Sequence, residues 1–432
     1  MGLTSQATVY AMAALAAVCV ALLVWLWPRL ATPGVRHVLG RLVAIGVTQV
    51  TIVAAFACWV NSSYQFFGSW NELFGNVDTA PVGVTQTAGG NGTVNGVSSV
   101  HGSLVQPAGN GQLNHVTGLP TGSAEVSGRV ESVKIIGRRT GVVDPAFVYL
   151  PPQYFQKAYH RMRFPVIVTL SGYPGSIFNL AQHLRVSQTA GDLQSKRQMQ
   201  PTIMVMIRPT IAPPRDTECV DVPGGPQTET FLAKDLPEAL KSVYRVGHDA
   251  SAWGVMGYSS GASCALQLTM RDPGAYTTAA ALSPDYRVKD DATTGNLFGT
   301  GLGRVNRVNG HDLMWRLGHL PAPQVSVLVA SSKHGERGYA ETLDFIKAVK
   351  PPMRVASILP ENGSHNFPTW VREMPAALKW MNQQLTFPQD VVPRHLPHLP
   401  KKGTLTEAQP KRGHGPVRAD GPESTPTAAS RR

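Results

Sequence analysis

The chain has 432 residues, 43% hydrophobic and 15% charged, which excludes a wholly disordered chain and supplies apolar side chains for a large core. Its 39 Lys and Arg exceed its 27 Asp and Glu by +12, but much of the surplus sits at the ends, whereas a nucleic-acid binder concentrates basic residues on its folded part, so no nucleic-acid partner is expected. Four cysteines are too few for a disulfide scaffold and lack zinc spacing, so neither a metal nor a stapled miniature fold is expected.

Thr8 to Trp27 contains no charged residue, and at about 1.5 Å per residue it can cross a hydrocarbon layer of about 30 Å. Leu42 to Val60 forms a second such run. The leader Met1–Gln6 has no Lys or Arg, which argues for a retained span over a cleaved signal peptide. Between the runs, Arg29, Arg36 and Arg41 stand without any acid, so the positive-inside rule puts this loop in the cytoplasm and both termini outside. Residues 1–75 therefore read as a membrane anchor with two transmembrane helices, 8–27 and 42–60. The expected location is the cell membrane, with everything after the second span on the extracytoplasmic side.

Residues 76–126 read as an uncharged flexible linker, since Thr79–Ser123 contains no Lys, Arg, Asp or Glu. Over 127–385 the texture changes to short β-branched runs separated by amphipathic stretches, the pattern of an α/β sheet. Eight strands are predicted: Arg129–Ile136, Ala146–Leu150, Val166–Leu170, Ile203–Ile207, Gly254–Met256, Ala279–Leu282, Val325–Val329 and Val355–Leu359. Helices are predicted near Ser176–Ser187, Phe231–Tyr244, Ser260–Arg271, Tyr339–Val349 and Trp370–Gln384. Pro284–Pro323 has no clear assignment and is long enough for a cap or binding loops. Residues 386–432, with eight basic and four acidic residues, read as a disordered basic tail.

Gly257-Tyr258-Ser259-Ser260-Gly261 is a G-x-S-x-G between an apolar strand and a small-residue helix start. That context makes Ser259 the candidate nucleophile on a strand-turn-helix elbow, with the Ser260 amide facing a developing oxyanion. The glycine-rich loop Ser171–Gly175 can fold back over the elbow, and the Tyr173 amide is the second candidate donor. His365 follows the last predicted strand in a Gly-containing loop and is the candidate base. For the acid that orients it, Glu336 comes first because it follows the strand Val325–Val329; Asp344 on the next helix is the alternative, and Asp285 the third.

These residues resemble the esterase D-like branch of the α/β hydrolases, with its S-formylglutathione hydrolases, feruloyl esterases and mycolyltransferases. The resemblance covers about residues 127–385. It rests on Val148-Tyr149-Leu150-Pro151-Pro152, Ser171-Gly172-Tyr173-Pro174-Gly175, the Ser259 elbow, and Gly363-Ser364-His365-Asn366-Phe367 followed by Trp370. It implies an α/β-hydrolase fold, a central mostly parallel eight-stranded sheet with helices on both faces. It also implies acyl-ester hydrolysis or acyl transfer through a serine acyl-enzyme, without metal or organic cofactor. Ser171 departs from the His or Asp usual before the oxyanion glycine, and mycolyltransferases take their acid from a helix, which favours Asp344.

A membrane anchor before such a domain points to an ester on or near the outer membrane face, a lipid or glycan of the cell envelope or a small exogenous ester. Three readings stand: an extracytoplasmic serine esterase, an acyltransferase that moves the acyl chain to a sugar hydroxyl, and a non-catalytic envelope binding protein with the same fold. In that oxidising compartment Cys219, in the loop before the elbow strand, and Cys264, on the helix after it, are expected to form a disulfide.

Overall fold

The central runs of the core fold into strands buried on both faces, which is why they read as continuous apolar stretches. The computed structural model describes residues 6–64, 103–108 and 122–387. Two long apolar helices come first, α1 (Gln6–Leu30) and α2 (Val35–Tyr64), which pack against each other. Both exceed the predicted spans, and both are long and apolar enough to cross a membrane.

The sheet has nine strands: β1 (Val105–Pro107), β2 (Arg129–Ile136), β3 (Val143–Leu150), β4 (Val166–Leu170), β5 (Ile203–Ile207), β6 (Trp253–Tyr258), β7 (Thr278–Leu282), β8 (Ser326–Ala330) and β9 (Arg354–Ile358). Their order is β1-β2-β3-β5-β4-β6-β7-β8-β9. The first four strands in that order pair antiparallel and the rest parallel. This is the α/β-hydrolase fold.

The count is nine rather than the expected eight because β1 lies inside the segment read as linker. Three residues are too short to show periodicity, yet Val105 is fully buried and pairs with Ile135. Pro107 is tolerated there because an edge strand leaves one side of its backbone unpaired. Apart from 103–108 and 122–126, the expected linker lies outside the described residues. The expected tail does so apart from Thr386 and Phe387.

Side chains alternate between two cores. Val166, Val168, Val255, Ala279 and Val327 face α4 (Leu236–Val243), α5 (Ser260–Arg271) and α8 (Tyr339–Ala348). Ile167, Met256, Ala280 and Leu328 face α3 (Val186–Ser195) and α9 (Phe367–Gln384). The helix predicted near Ser176–Ser187 is instead a π-helical turn, Asn179–His183, followed by α3. Arg185 between them has φ 57°, which no continuous right-handed helix accommodates. The unassigned segment carries α6 (Arg304–His311) and α7 (Leu313–His319).

Strand register is what builds the site. Leu170 pairs with Gly257, Tyr258 with Leu282, Leu282 with Ala330, and Ala330 with Ile358. The carboxyl ends of five parallel strands therefore stop level, and the residues after them share one edge, where open α/β sheets hold their chemistry.

Candidate active site

Ser259 caps α5 with φ 57° and ψ −130°, a backbone conformation costly for a side-chain-bearing residue. The surrounding glycines explain how the chain tolerates it. A Cβ on Gly257 would lie 2.3 Å from the Gly261 carbonyl oxygen, and one on Gly261 would lie 2.4 Å from that of Ser171. Only hydrogen at both positions lets strand, turn and helix approach this closely.

His365 stands on the loop between β9 and α9, with Nε2 2.8 Å from Ser259 Oγ. The loop is held at its base. Asn366 Oδ1 accepts the Thr369 N–H at 3.2 Å as the cap of α9, and Thr369 Oγ1 accepts the Ser364 N–H at 2.9 Å. The imidazole keeps one side open to solvent, and it meets Trp370 edge-on with ring centres 5.1 Å apart. Desolvation on the packed side lowers its pKa below the ordinary imidazole value, against the opposing pull of the Glu336 and Asp285 carboxylates. Neutral imidazole, the form that accepts a proton, is thereby favoured.

Glu336 follows β8 and is held by two serines. Its Oε1 accepts the Ser283 hydroxyl at 3.0 Å and its Oε2 the Ser331 hydroxyl at 2.9 Å. Ser283 Oγ in turn accepts the Trp370 indole N–H at 2.9 Å. No hydrogen bond joins Glu336 to His365 among the described residues; the carboxylate acts on the imidazole through its charge. Asp344 is two-thirds exposed and lies 3.5 Å from Lys347, away from this group. Asp285 is exposed and reaches His365 through its charge alone.

The Tyr173 amide, expected to be open to an oxyanion, instead donates to Ser260 Oγ at 2.8 Å. The loop beneath it and the start of α5 come close enough for that side chain to intervene. The Ser260 amide, first in α5, has no acceptor within the helix. The Tyr173 hydroxyl donates to the Pro214 carbonyl at 2.6 Å. Beside it opens a groove of about 650 Å³, lined by Tyr173, Pro214, Arg215 and residues 292–296.

Cys219 and Cys264 are disulfide-bonded with Cα atoms 5.3 Å apart, which ties the loop after β5 to the helix carrying the elbow. Cys19 and Cys58 are free. Among the described residues, no group of three or more His, Cys, Asp or Glu is disposed to hold a metal.

Ser259, His365 and Glu336 are thus brought to one edge of the sheet, while Asp344 is not. Sequence reasoning passed over Ser283, Ser331 and the indole of Trp370. The signal for the serines was positional: each directly follows a parallel strand, as Ser259 does.

The family described as "Putative esterase" matches residues 139–381, more than half of the chain. A Corynebacterium glutamicum protein described as uncharacterized is 28% identical over 176 residues, 39% of this chain and 40% of that protein. The chain thus spans less than half the length of that relative. Among solved structures, a ferulic acid esterase has a TM-score of 0.49 at 16% identity, covering 59% of this chain and 97% of its own. The Staphylococcus aureus fluorophosphonate-binding serine hydrolase F has a TM-score of 0.47 at 14% identity, covering 59% and 98%. An S-formylglutathione hydrolase from Agrobacterium tumefaciens has a TM-score of 0.46 at 15% identity, covering 60% and 97%. With a matching family over 139–381, the strained Ser259 elbow within it and the parallel sheet beneath, the chain belongs to this esterase family of α/β hydrolases.

Proposed function

We propose that this protein is a membrane-anchored serine esterase with its catalytic domain, residues 127–385, on the extracytoplasmic side. The observation that carries this reading is the 2.8 Å approach of His365 Nε2 to Ser259 Oγ at a strained elbow. Ser259 Oγ attacks the ester carbonyl as His365 takes its proton, and His365 returns that proton to the departing alcohol. Water, activated by the same imidazole, then releases the acid. Glu336, fixed by Ser283 and Ser331, stabilises the imidazolium formed at each step. The reaction needs neither metal nor organic cofactor.

Anchoring is supported by the length and apolar character of α1 and α2, and orientation by Arg29, Arg36 and Arg41 between the two spans. The disulfide fits an oxidising compartment. The groove lined by Tyr173, Arg215 and Asn296 gives the alcohol half of the ester a polar space beside the Ser171–Gly175 loop. The same groove favours, as a second reading, an acyltransferase in which a sugar hydroxyl of the envelope replaces water. The test is a fluorophosphonate probe applied to the full-length protein in detergent, followed by an ester assay with and without sugar acceptors. Labelling at Ser259 and hydrolysis without acceptor support the esterase. Turnover only with an acceptor supports the transferase, and an unlabelled, inactive protein supports a binding role.

A further inference from the structure

The Tyr173 N–H is committed to Ser260 Oγ at 2.8 Å. A backbone amide has one hydrogen, and one spent on a good acceptor at this distance is not available at full strength to a second. The oxygen that receives it belongs to a hydroxyl, which can accept and donate at once. Among the described residues, Ser260 Oγ–H has no acceptor, and Ser260, like Ser259, is only half-buried at the mouth of the site.

Ser260, next in sequence to the nucleophile, therefore carries two uncommitted donors. One is its amide, left without an intrahelical acceptor at the start of α5. The other is its hydroxyl, polarised from behind by the Tyr173 amide. In a chain of hydrogen bonds, the donor at the front strengthens as the one behind it shortens. We propose that the Ser260 hydroxyl, rather than the Tyr173 amide, is the second oxyanion donor. When Ser259 Oγ bonds to the carbonyl carbon, the π pair moves to the carbonyl oxygen. That oxygen receives hydrogen bonds from Ser260 N–H and Ser260 Oγ–H, and Ser260 keeps its proton throughout. Tyr173 becomes a positioning residue that aims and polarises the hydroxyl. This inference rests on the reading of Ser259 as nucleophile.

The experiment compares wild type, Ser260→Ala and Ser260→Thr as full-length proteins in detergent, with a short-chain nitrophenyl ester. A trifluoromethyl ketone, which forms a tetrahedral adduct, serves as a second readout, with fluorophosphonate labelling of Ser259 as control. Losing one oxyanion donor costs about 10² in kcat. Ser260→Ala is therefore expected to lower kcat by about that factor with KM nearly unchanged, and to weaken the ketone by a similar factor. Ser260→Thr, which keeps the hydroxyl, is expected to restore most of both. A kcat for Ser260→Ala within threefold of wild type, or above it, overturns the inference in favour of the Tyr173 amide. So does a loss of kcat that leaves ketone affinity intact or that threonine does not restore, since either marks a structural role. A wild type neither labelled at Ser259 nor active overturns the nucleophile reading itself, and this inference with it.

Discussion

Ser283 donates its hydroxyl to Glu336 Oε1 across 3.0 Å while its own oxygen accepts the Trp370 indole N–H at 2.9 Å. One side chain at the end of β7 thus couples the acid loop after β8 to the first turn of α9, whose preceding loop carries His365. Hydrogen bonds to a charged group are worth about 1.5–3 kcal/mol each. Part of that is available to fix the carboxylate's position. Ser283→Ala and Ser331→Ala are each expected to lower kcat about tenfold with little change in KM. In a Glu336→Gln background the same substitutions are expected to have little further effect. A full additional loss in that background would show that the serines do not act through Glu336.

Replacing Glu336 and Asp344 by their amides separates the two candidate acids. Glu336 is clamped at the edge that holds His365, whereas Asp344 projects into solvent beside Lys347. Losing the carboxylate charge that stabilises the imidazolium can cost up to about 10⁴ in turnover. Glu336→Gln is expected to lose activity on that scale, and Asp344→Asn to match wild type. The reverse result would require α8 to turn its outer face toward the site.

The pH profile follows from the direction of the His365 shift. Catalysis needs the neutral imidazole, and its pKa is held below the ordinary 6.5 by desolvation. The acidic limb of kcat/KM is expected to bend below pH 6.5, leaving a plateau through neutrality. The Glu336 and Asp285 charges act in the opposite direction, so Asp285→Asn is expected to move the limb still lower. A limb above pH 7, or one that rises in this variant, would contradict the assignment.

Glu373 makes a stability prediction away from the chemistry. It is 3% exposed on α9, and neither carboxylate oxygen has a partner among the described residues. Burial, helped by the nearby Glu336 charge, raises its pKa from 4.5 to about 8. The folded state therefore holds a proton that the unfolded chain gives up. This contribution to stability is full below pH 4.5 and is lost as the pH climbs through about 8. Glu373→Gln is expected to raise Tm by a few degrees at pH 8.5 and to change it little at pH 5, read by thermal unfolding. Equal shifts at both pH values would show that the carboxyl does not titrate as described.

The parallel strands β4 to β8 were legible because burial on both faces writes itself into the sequence as apolar runs. The Ser259 elbow was legible because its glycines are a local steric requirement. What stayed hidden depends on contacts between distant segments. β1 is a strand only because β2 offers it an edge. Asp344 competes with Glu336 on paper, but Thr342 and Phe345 are the buried residues of α8, and that helical phase turns Asp344 outward. The contact between the Tyr173 amide and Ser260 Oγ joins a loop to a helix start 87 residues away, and neither segment contains a sign of it.

Turnover by Ser259→Ala is the most direct measurement of all. The variant removes one oxygen from a half-buried turn, so the fold should persist, as checked by an unchanged thermal transition. With the nucleophile gone, only the residual effect of binding and the oxyanion donors survives, about 10³–10⁴ over water. Hydrolysis of a nitrophenyl ester is expected to fall to that floor, with no fluorophosphonate labelling. A folded Ser259→Ala protein that still turns over ester at a rate near wild type would contradict the assignment of Ser259 and the mechanism built on it.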